Sequence, residues 1–117
     1  MTLRALGVVL MLATLGCAGL GARRDGGPHL VKVVRITGFR FVPADLTVSP
    51  GDTVIWENED SFAHTTTADS GSWSSAELAR SQRHAIVAPA PGRYPYHCAA
   101  HPGMKAVLEV RRAQPSM

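Results

Sequence analysis

Short apolar stretches separated by turn-forming residues recur along the chain between residues 30 and 112. Each is rich in branched or aromatic side chains and alternates, at least in part, between apolar and polar positions, which is typical of half-buried strands. No segment has a sustained helical period. The pattern predicts an all-β sandwich of roughly seven to eight strands. The clearest strands are expected at Leu30–Thr37, Phe39–Val42, Leu46–Val48, Thr53–Glu57, Arg83–Ala88, Arg93–Cys98 and Lys105–Arg111.

Three local features of this pattern lead to further predictions. The adjacent Val33 and Val34 interrupt the alternation of the first strand, which indicates a bulge. Phe39 and Phe41 are two residues apart in an alternating run, so both are expected to face the core. The segment Ser74–Arg80 begins with serine residues that can cap a helix, and we expect a short helical turn there.

The first 22 residues differ in composition from the rest of the chain. Arg4 precedes an apolar, glycine-dotted stretch that ends at Ala22, which is typical of a secretory signal peptide. One alternative is lipoprotein-type cleavage before Cys17, which would leave a lipid anchor on that residue, and another is an uncleaved membrane anchor. We therefore predict an exported protein, in a bacterial periplasm or lipid-anchored to the outer face of a membrane. A flexible tether is expected at residues 23–29, the folded domain at 30–112 and a tail at 113–117.

Size, charge and cysteine content further restrict the classes of function that the chain could have. A chain of 117 residues has room for one domain, and we expect a monomer. The net charge of +3 is too mild to imply nucleic-acid binding, and we interpret the arginine pairs at 23–24 and 111–112 as solvated flanks. Because Cys17 lies in the leader, Cys98 has no disulfide partner within the mature domain. An unpaired cysteine in an exported protein is well explained by metal ligation.

Candidate metal ligands are concentrated in the segment Tyr94–Met104, which reads YPYHCAAHPGM. Cys98 is followed by His101 three residues later and by Met104 three residues after that. A thiolate, an imidazole and a thioether form a soft ligand set, and copper electron-transfer sites combine two histidines and a cysteine with a weak axial methionine. Zinc fits less well, since structural zinc sites close a tetrahedron of strong ligands. The second histidine must come from elsewhere, and His64, which follows an apolar strand, is the best placed.

An upstream histidine followed by cysteine, histidine and methionine at this spacing resembles the cupredoxins, and more narrowly the plastocyanin/amicyanin family of small blue-copper proteins. The resemblance covers residues 31–110 and implies a Greek-key β-sandwich. It implies one type 1 copper ion held by His64, Cys98, His101 and Met104, which cycles between Cu(II) and Cu(I). The implied function is to carry one electron between a donor and an acceptor redox protein that dock near His101, without enzymatic activity.

The resemblance also gives expectations for neighbouring residues. His101 should be the partly exposed ligand, surrounded by an apolar patch to which Phe39 or Pro43 could contribute. This family has an asparagine directly after the first histidine, which ties two loops together and donates a hydrogen bond to the cysteine sulfur. Thr65 stands at that position here; it can offer the same backbone donor, and its hydroxyl could replace the tie.

Two other functions remain open from the sequence. The same ligands could bind copper for trafficking or buffering rather than for electron transfer, or the domain could be an exported binding module in which the metal is incidental. The remaining histidines, His29, His84 and His97, are expected to lie away from the metal; His97 has the opposite strand parity to Cys98. The tryptophans and tyrosines are expected to be core or rim residues rather than electron relays.

Overall fold

The computed structural model describes residues 28–113, which form two packed sheets. The predicted signal peptide at 1–22, together with Cys17 and any lipid anchor there, lies outside the described residues, as do residues 23–27 of the tether and 114–117 of the tail. Within the described range no helix has the length and apolarity needed to cross a membrane. The strands are β1 (Val31–Thr37), β2 (Arg40–Val42), β3 (Asp45–Val48), β4 (Thr53–Asn58), β5 (Thr67–Ala68), β6 (Arg83–Val87), β7 (Gly92–His97) and β8 (Lys105–Val110).

Each sheet has four strands, with the orders β2-β1-β4-β6 and β3-β8-β7-β5. The pairs β1–β4 and β3–β8 are parallel, and the other neighbours are antiparallel. The all-β sandwich predicted from the sequence is therefore confirmed. The short strand β5 was not expected, because a two-residue strand has no periodicity to detect.

The core lies between the sheets and is built from alternate residues of each strand. In β4, for example, Val54, Trp56 and Asn58 are buried while the intervening side chains are partly exposed. Trp56 contacts the rings of Trp73 and Tyr96, which continue the aromatic packing across the sandwich. The expectation that these aromatics are core residues is confirmed. Burial raises the pKa of Tyr96 to about 12, so its phenol stays neutral.

The predicted bulge in the first strand is wrong. β1 pairs with β4 residue for residue from Val31 to Ile36, without an extra residue on either strand. Val33 points outward and Val34 inward, so buried and exposed positions alternate without interruption. The sequence pattern was misleading because an apolar residue, Val33, occupies an exposed position. The physical reason is that β-branched residues suit either face of a strand.

The predicted helical turn at Ser74–Arg80 is also wrong. This segment is not helical: Leu78 exchanges two backbone hydrogen bonds with His64, and Ser75 donates to Thr66. Leu78 is buried in the core, and its pairing with the His64 loop satisfies backbone groups that an isolated helical turn would leave free. This pairing supports the loop that carries His64.

Only one of the two phenylalanines expected in the core lies there. Phe41 in β2 is 3% exposed, whereas Phe39 is 41% exposed. Gly38 and Phe39 form the two-residue turn between β1 and β2, and both have positive φ, 59° and 57°, as a type I′ hairpin turn requires. Phe39 is therefore a turn residue, and strand parity does not determine where its side chain points.

Candidate metal centre

The candidate site lies where the chain leaves β7 and where it approaches β5. Cys98 directly follows β7, and the loop from Cys98 to Met104 returns the chain to β8. Three backbone hydrogen bonds make this loop compact: Cys98 N–H donates to the Met104 carbonyl (3.2 Å), His101 N–H to that of Cys98 (3.2 Å) and Met104 N–H to that of His101 (2.8 Å). The cysteine, histidine and methionine are therefore held together by their own backbone.

His64 is brought to this loop by the segment between β4 and β5. The Cys98 Sγ lies 3.8 Å from His64 Nδ1 and 3.7 Å from His101 Nδ1, and the three atoms lie within 4.8 Å of one another. With metal–sulfur and metal–nitrogen bonds of about 2.3 and 2.0 Å, two ligands separated by 120° are about 3.7 Å apart. The two sulfur–nitrogen sides of the triangle thus have the length that a trigonal first-row metal needs.

The candidate ligands differ in their access to solvent. His64 and Cys98 are 0% exposed and Met104 is 6% exposed, whereas His101 is only half-buried. This agrees with the expectation that His101 is the ligand nearest the surface. Met104 ends the loop and is buried, and its axial role stays a prediction.

Asp60 holds the ring of His64 from the side opposite to the thiol. His64 Nε2 lies 2.9 Å from Asp60 Oδ2, and this contact assigns the ring proton to Nε2, which donates it to the carboxylate. The Nδ1 lone pair is then free to face Cys98 and a metal. Burial alone would raise the pKa of Asp60, but hydrogen bonds from the backbone of Phe39 and Gly38 and from His64 outweigh it, so that the pKa is lowered.

Thr65 connects the two ligand loops. Its backbone N–H donates to Cys98 Sγ (3.4 Å), and its hydroxyl oxygen accepts a hydrogen bond from Ala99 N–H (2.8 Å). The hydroxyl is also 3.0 Å from the Thr67 hydroxyl. Since Ala99 is the donor to Thr65, the Thr65 proton is available for Thr67. Both expectations for Thr65, the backbone donor to sulfur and the hydroxyl tie, are borne out by these contacts.

The ring of Phe39 packs against both histidines, and Phe62 lies beside it. The Phe39 ring lies 5.0 Å from that of His64 and 5.1 Å from that of His101, almost perpendicular to both. Phe62 lies 5.2 Å from Phe39, and both phenylalanines are exposed. The two phenylalanines give the site an apolar outer rim beside His101.

The other histidines lie away from this cluster, as expected. His84 stacks on Trp56 with its Nδ1 3.2 Å from the Thr66 hydroxyl, and burial lowers its pKa. His97 pairs with Asp69, and His29 is exposed near the domain's first strand. Among residues 28–113, the group of His, Cys, Asp or Glu side chains close enough together to hold a metal ion is His64, Cys98 and His101.

Sequence reasoning missed Asp60; it was right that Phe39 could lie beside His101 and wrong that Phe39 faces the core. The only local signal for Asp60 was a carboxylate four residues before a candidate ligand, in a polar loop where acidic residues are common. The turn position of Phe39 could have been predicted only by recognising a type I′ turn at Gly38–Phe39. Bulky residues with positive φ are uncommon, so the sequence gives little sign of such a turn.

Comparison with known proteins agrees with this arrangement. A family model described as copper-binding proteins of the plastocyanin/azurin family matches residues 28–111. None of the curated protein sequences matches the chain. Two solved structures of amicyanin variants are 26% and 28% identical, with TM-scores of 0.65 and 0.66; they cover 68% and 69% of this chain and 81% and 82% of their own. A copper-containing nitrite reductase from Thermus scotoductus SA-01 is 26% identical with a TM-score of 0.68, covering 76% of this chain but 24% of that one.

The family match spans the whole sandwich and includes both loops of the candidate site. The donor set also fits copper, because one thiolate and two imidazoles are brought together with sulfur–nitrogen distances that suit trigonal ligation. Amicyanin is similar over most of its own length, whereas the nitrite reductase is similar over one part only. From the family model, the fold and the donor set together, the chain belongs to the plastocyanin/azurin family of copper-binding proteins, and its cofactor is copper.

Proposed function

We propose that this protein is a blue-copper electron carrier in which His64, Cys98, His101 and Met104 hold one type 1 copper ion. The observation that carries the proposal is the triangle of Cys98 Sγ with the Nδ1 atoms of His64 and His101. When bound, copper supplies a one-electron couple between Cu(II) and Cu(I). A reduced donor protein gives one electron to the site, and an oxidised acceptor protein removes it.

The surroundings of the ligands favour a site that changes little between the two oxidation states. His64 and Cys98 are closed off from solvent, and their orientations are fixed by hydrogen bonds to Asp60 and Thr65. Ligands that are held by their own hydrogen bonds do not need to rearrange when the charge of the metal changes. A small rearrangement lowers the barrier to electron transfer.

The exposed side of the site is where we place the docking of redox partners. His101 is the half-buried ligand, and the rings of Phe39 and Phe62 extend the apolar surface beside it. A partner that presents an apolar face could approach the histidine edge closely there. We further propose that the protein works as an exported monomer and as a carrier rather than an enzyme, which accords with its similarity to amicyanin over most of that protein's length.

The decisive experiment compares visible and EPR spectra of the purified protein after addition of Cu(II). The wild type should show an intense thiolate-to-copper charge-transfer band and a narrow copper hyperfine splitting, and Cys98→Ser should lose both. His97→Gln is the matched control, because it changes the residue next to Cys98 without touching the ligand triangle. A pale wild-type complex with ordinary Cu(II) parameters would contradict the proposal.

A second measurement separates electron transfer from copper trafficking. An electron carrier should be reduced and reoxidised reversibly and should release copper slowly to a chelator. Labile copper that passes readily to an apo-acceptor would favour trafficking.

A further inference from the structure

We infer that Asp60 is a positioning residue that locks two parts of the copper site at once: the ring of His64 from behind, and the Phe39 ring that covers both histidines in front. The inference rests on the proposed function, since it takes His64 and His101 as ligands. It assigns two roles to one carboxylate: Asp60 orients the His64 ring, and it positions the Phe39 ring that packs against both histidines.

Both oxygens of the Asp60 carboxylate are occupied by donors from two separate loops. Oδ1 accepts a hydrogen bond from Gly38 N–H (2.8 Å), and Oδ2 accepts one from Phe39 N–H (2.9 Å) and one from His64 Nε2 (2.9 Å). Two successive backbone N–H groups that converge on one anion form a nest, an arrangement suited to negative charge. The carboxylate therefore joins the β1–β2 turn to the loop that carries His64.

Asp60 is itself held in place by a buried scaffold. Its backbone N–H donates to Asn58 Oδ1 (2.9 Å), and the Asn58 side-chain amide donates to the carbonyls of Phe62 and Leu78 at 2.8 Å each. Asn58 is completely buried, so this amide has no alternative partner in water. The position of the Asp60 carboxylate is consequently set by the core and not by the exposed turn that it binds.

The turn gives a reason for the carboxylate to be charged and fixed. Phe39 has a φ of 57°, in the left-handed region that a bulky residue rarely adopts. Charge-assisted hydrogen bonds from Gly38 and Phe39 to Asp60 offset the cost of that conformation. The same conformation directs the Phe39 ring edge-on toward His64 and His101. Loss of the carboxylate should thus release the ring as well as the imidazole.

The test compares Asp60→Asn with Asp69→Asn. Asp69 is the matched control, since its carboxylate also pairs with a histidine, His97, but with one outside the ligand triangle. Both substitutions remove one negative charge that is paired with a histidine, and Asp69 is the more exposed of the two carboxylates. Only Asp60→Asn should also disturb the ring of a ligand and the β1–β2 turn.

The first readout needs no copper. In the apoprotein, amide hydrogen exchange at Gly38 and Phe39 should accelerate in Asp60→Asn by about tenfold or more, the order expected when a hydrogen bond to a charged acceptor is lost. Asp69→Asn should leave these two amides unchanged. Unaltered exchange at both amides in Asp60→Asn would overturn the inference whether or not the protein binds copper as proposed.

The second readout is the reduction potential of the copper form. A carboxylate behind His64 stabilises Cu(II) more than Cu(I), so Asp60→Asn should raise the potential by more than Asp69→Asn does.

A third readout is the release of copper to a chelator. Phe39→Leu should speed this release. Phe62→Leu is the control and should not, because Phe62 packs against the ring of Phe39 and not against either histidine. Equal potentials in the two aspartate variants, or equal release from the two phenylalanine variants, would refute the coupling even with an intact blue site.

Discussion

Replacing Thr65 by valine tests the tie between the two ligand loops. Valine has nearly the same shape as threonine, and the backbone N–H that donates to Cys98 Sγ is kept. The substitution removes only the hydroxyl, which accepts from Ala99 N–H and lies beside the Thr67 hydroxyl. The structure therefore predicts that stability changes while the bond to sulfur does not.

The magnitude follows from the hydrogen bonds that are lost. Thr65 is buried, and without its hydroxyl the Ala99 N–H loses its partner. An unsatisfied buried donor costs about 1–3 kcal/mol, and because Ala99 is exposed, so that water can replace part of the lost bond, we place this case at the lower end, at about 1 kcal/mol. For a domain of this size, that corresponds to a fall in Tm of roughly 4–8 °C.

The assay is thermal unfolding of the apoprotein, with Thr65→Ser as the control. Serine keeps the hydroxyl and loses a methyl group, so it should retain most of the stability if the hydroxyl is what matters. In the copper form, the energy of the thiolate-to-copper band should stay close to wild type in both variants, because the backbone donor remains. Equal losses of Tm in valine and serine variants, or a larger loss in serine, would show that packing of the methyl group dominates and that the hydroxyl tie is unimportant.

Two further predictions concern the axial ligand and a buried histidine. Met104→Leu should retain copper and raise the reduction potential, because a weak axial thioether favours Cu(II). Each tenfold loss of Cu(II) affinity relative to Cu(I) raises the potential by about 59 mV. Loss of copper from the variant would contradict the axial role. Burial lowers the pKa of His84 from its unfolded value near 6.5, so the unfolded chain binds more protons below that pH and the apoprotein should lose stability as the pH falls through this range. Urea unfolding at pH 7 and pH 5.5 should show a smaller loss in His84→Gln than in wild type, with His29→Gln as the exposed control; an equal loss in all three would exclude His84 as the cause.

The parts of the site that were predictable from the sequence are those encoded locally or by alternation. Cys98, His101 and Met104 lie in one short loop whose backbone brings them together, so their spacing was informative. His64 is brought in by the fold, and only the resemblance to a known family gave its placement support beyond that of a lone histidine after a strand. Strand positions followed from alternation, and the sandwich is what such strands form when each must bury one face.

Two of the three errors came from interactions that join distant residues. Ser74–Arg80 has local features of a helical turn, but its buried Leu78 pairs with the His64 backbone instead. Phe39 was placed by strand parity, although contacts from Asp60 hold it in a turn conformation. A bulky residue at positive φ contradicts local preference, and such a contradiction is found where other parts of the molecule supply the compensation. Here the compensation lies beside the metal centre.

The parallel pairing of β3 with β8 also has a consequence for when the copper site forms. Asp45 pairs with Val107, so the second sheet cannot close until the chain has extended beyond the ligand loop. Contacts between segments so distant in sequence form late and slowly, since a large loop must close before they contribute. Cys98, His101 and Met104 directly precede β8, so the sheet that carries their loop is complete only when that strand has paired with β3. Copper should therefore bind after the domain has folded. Before β8 has paired with β3, the cysteine, histidine and methionine side chains should not form a comparable site.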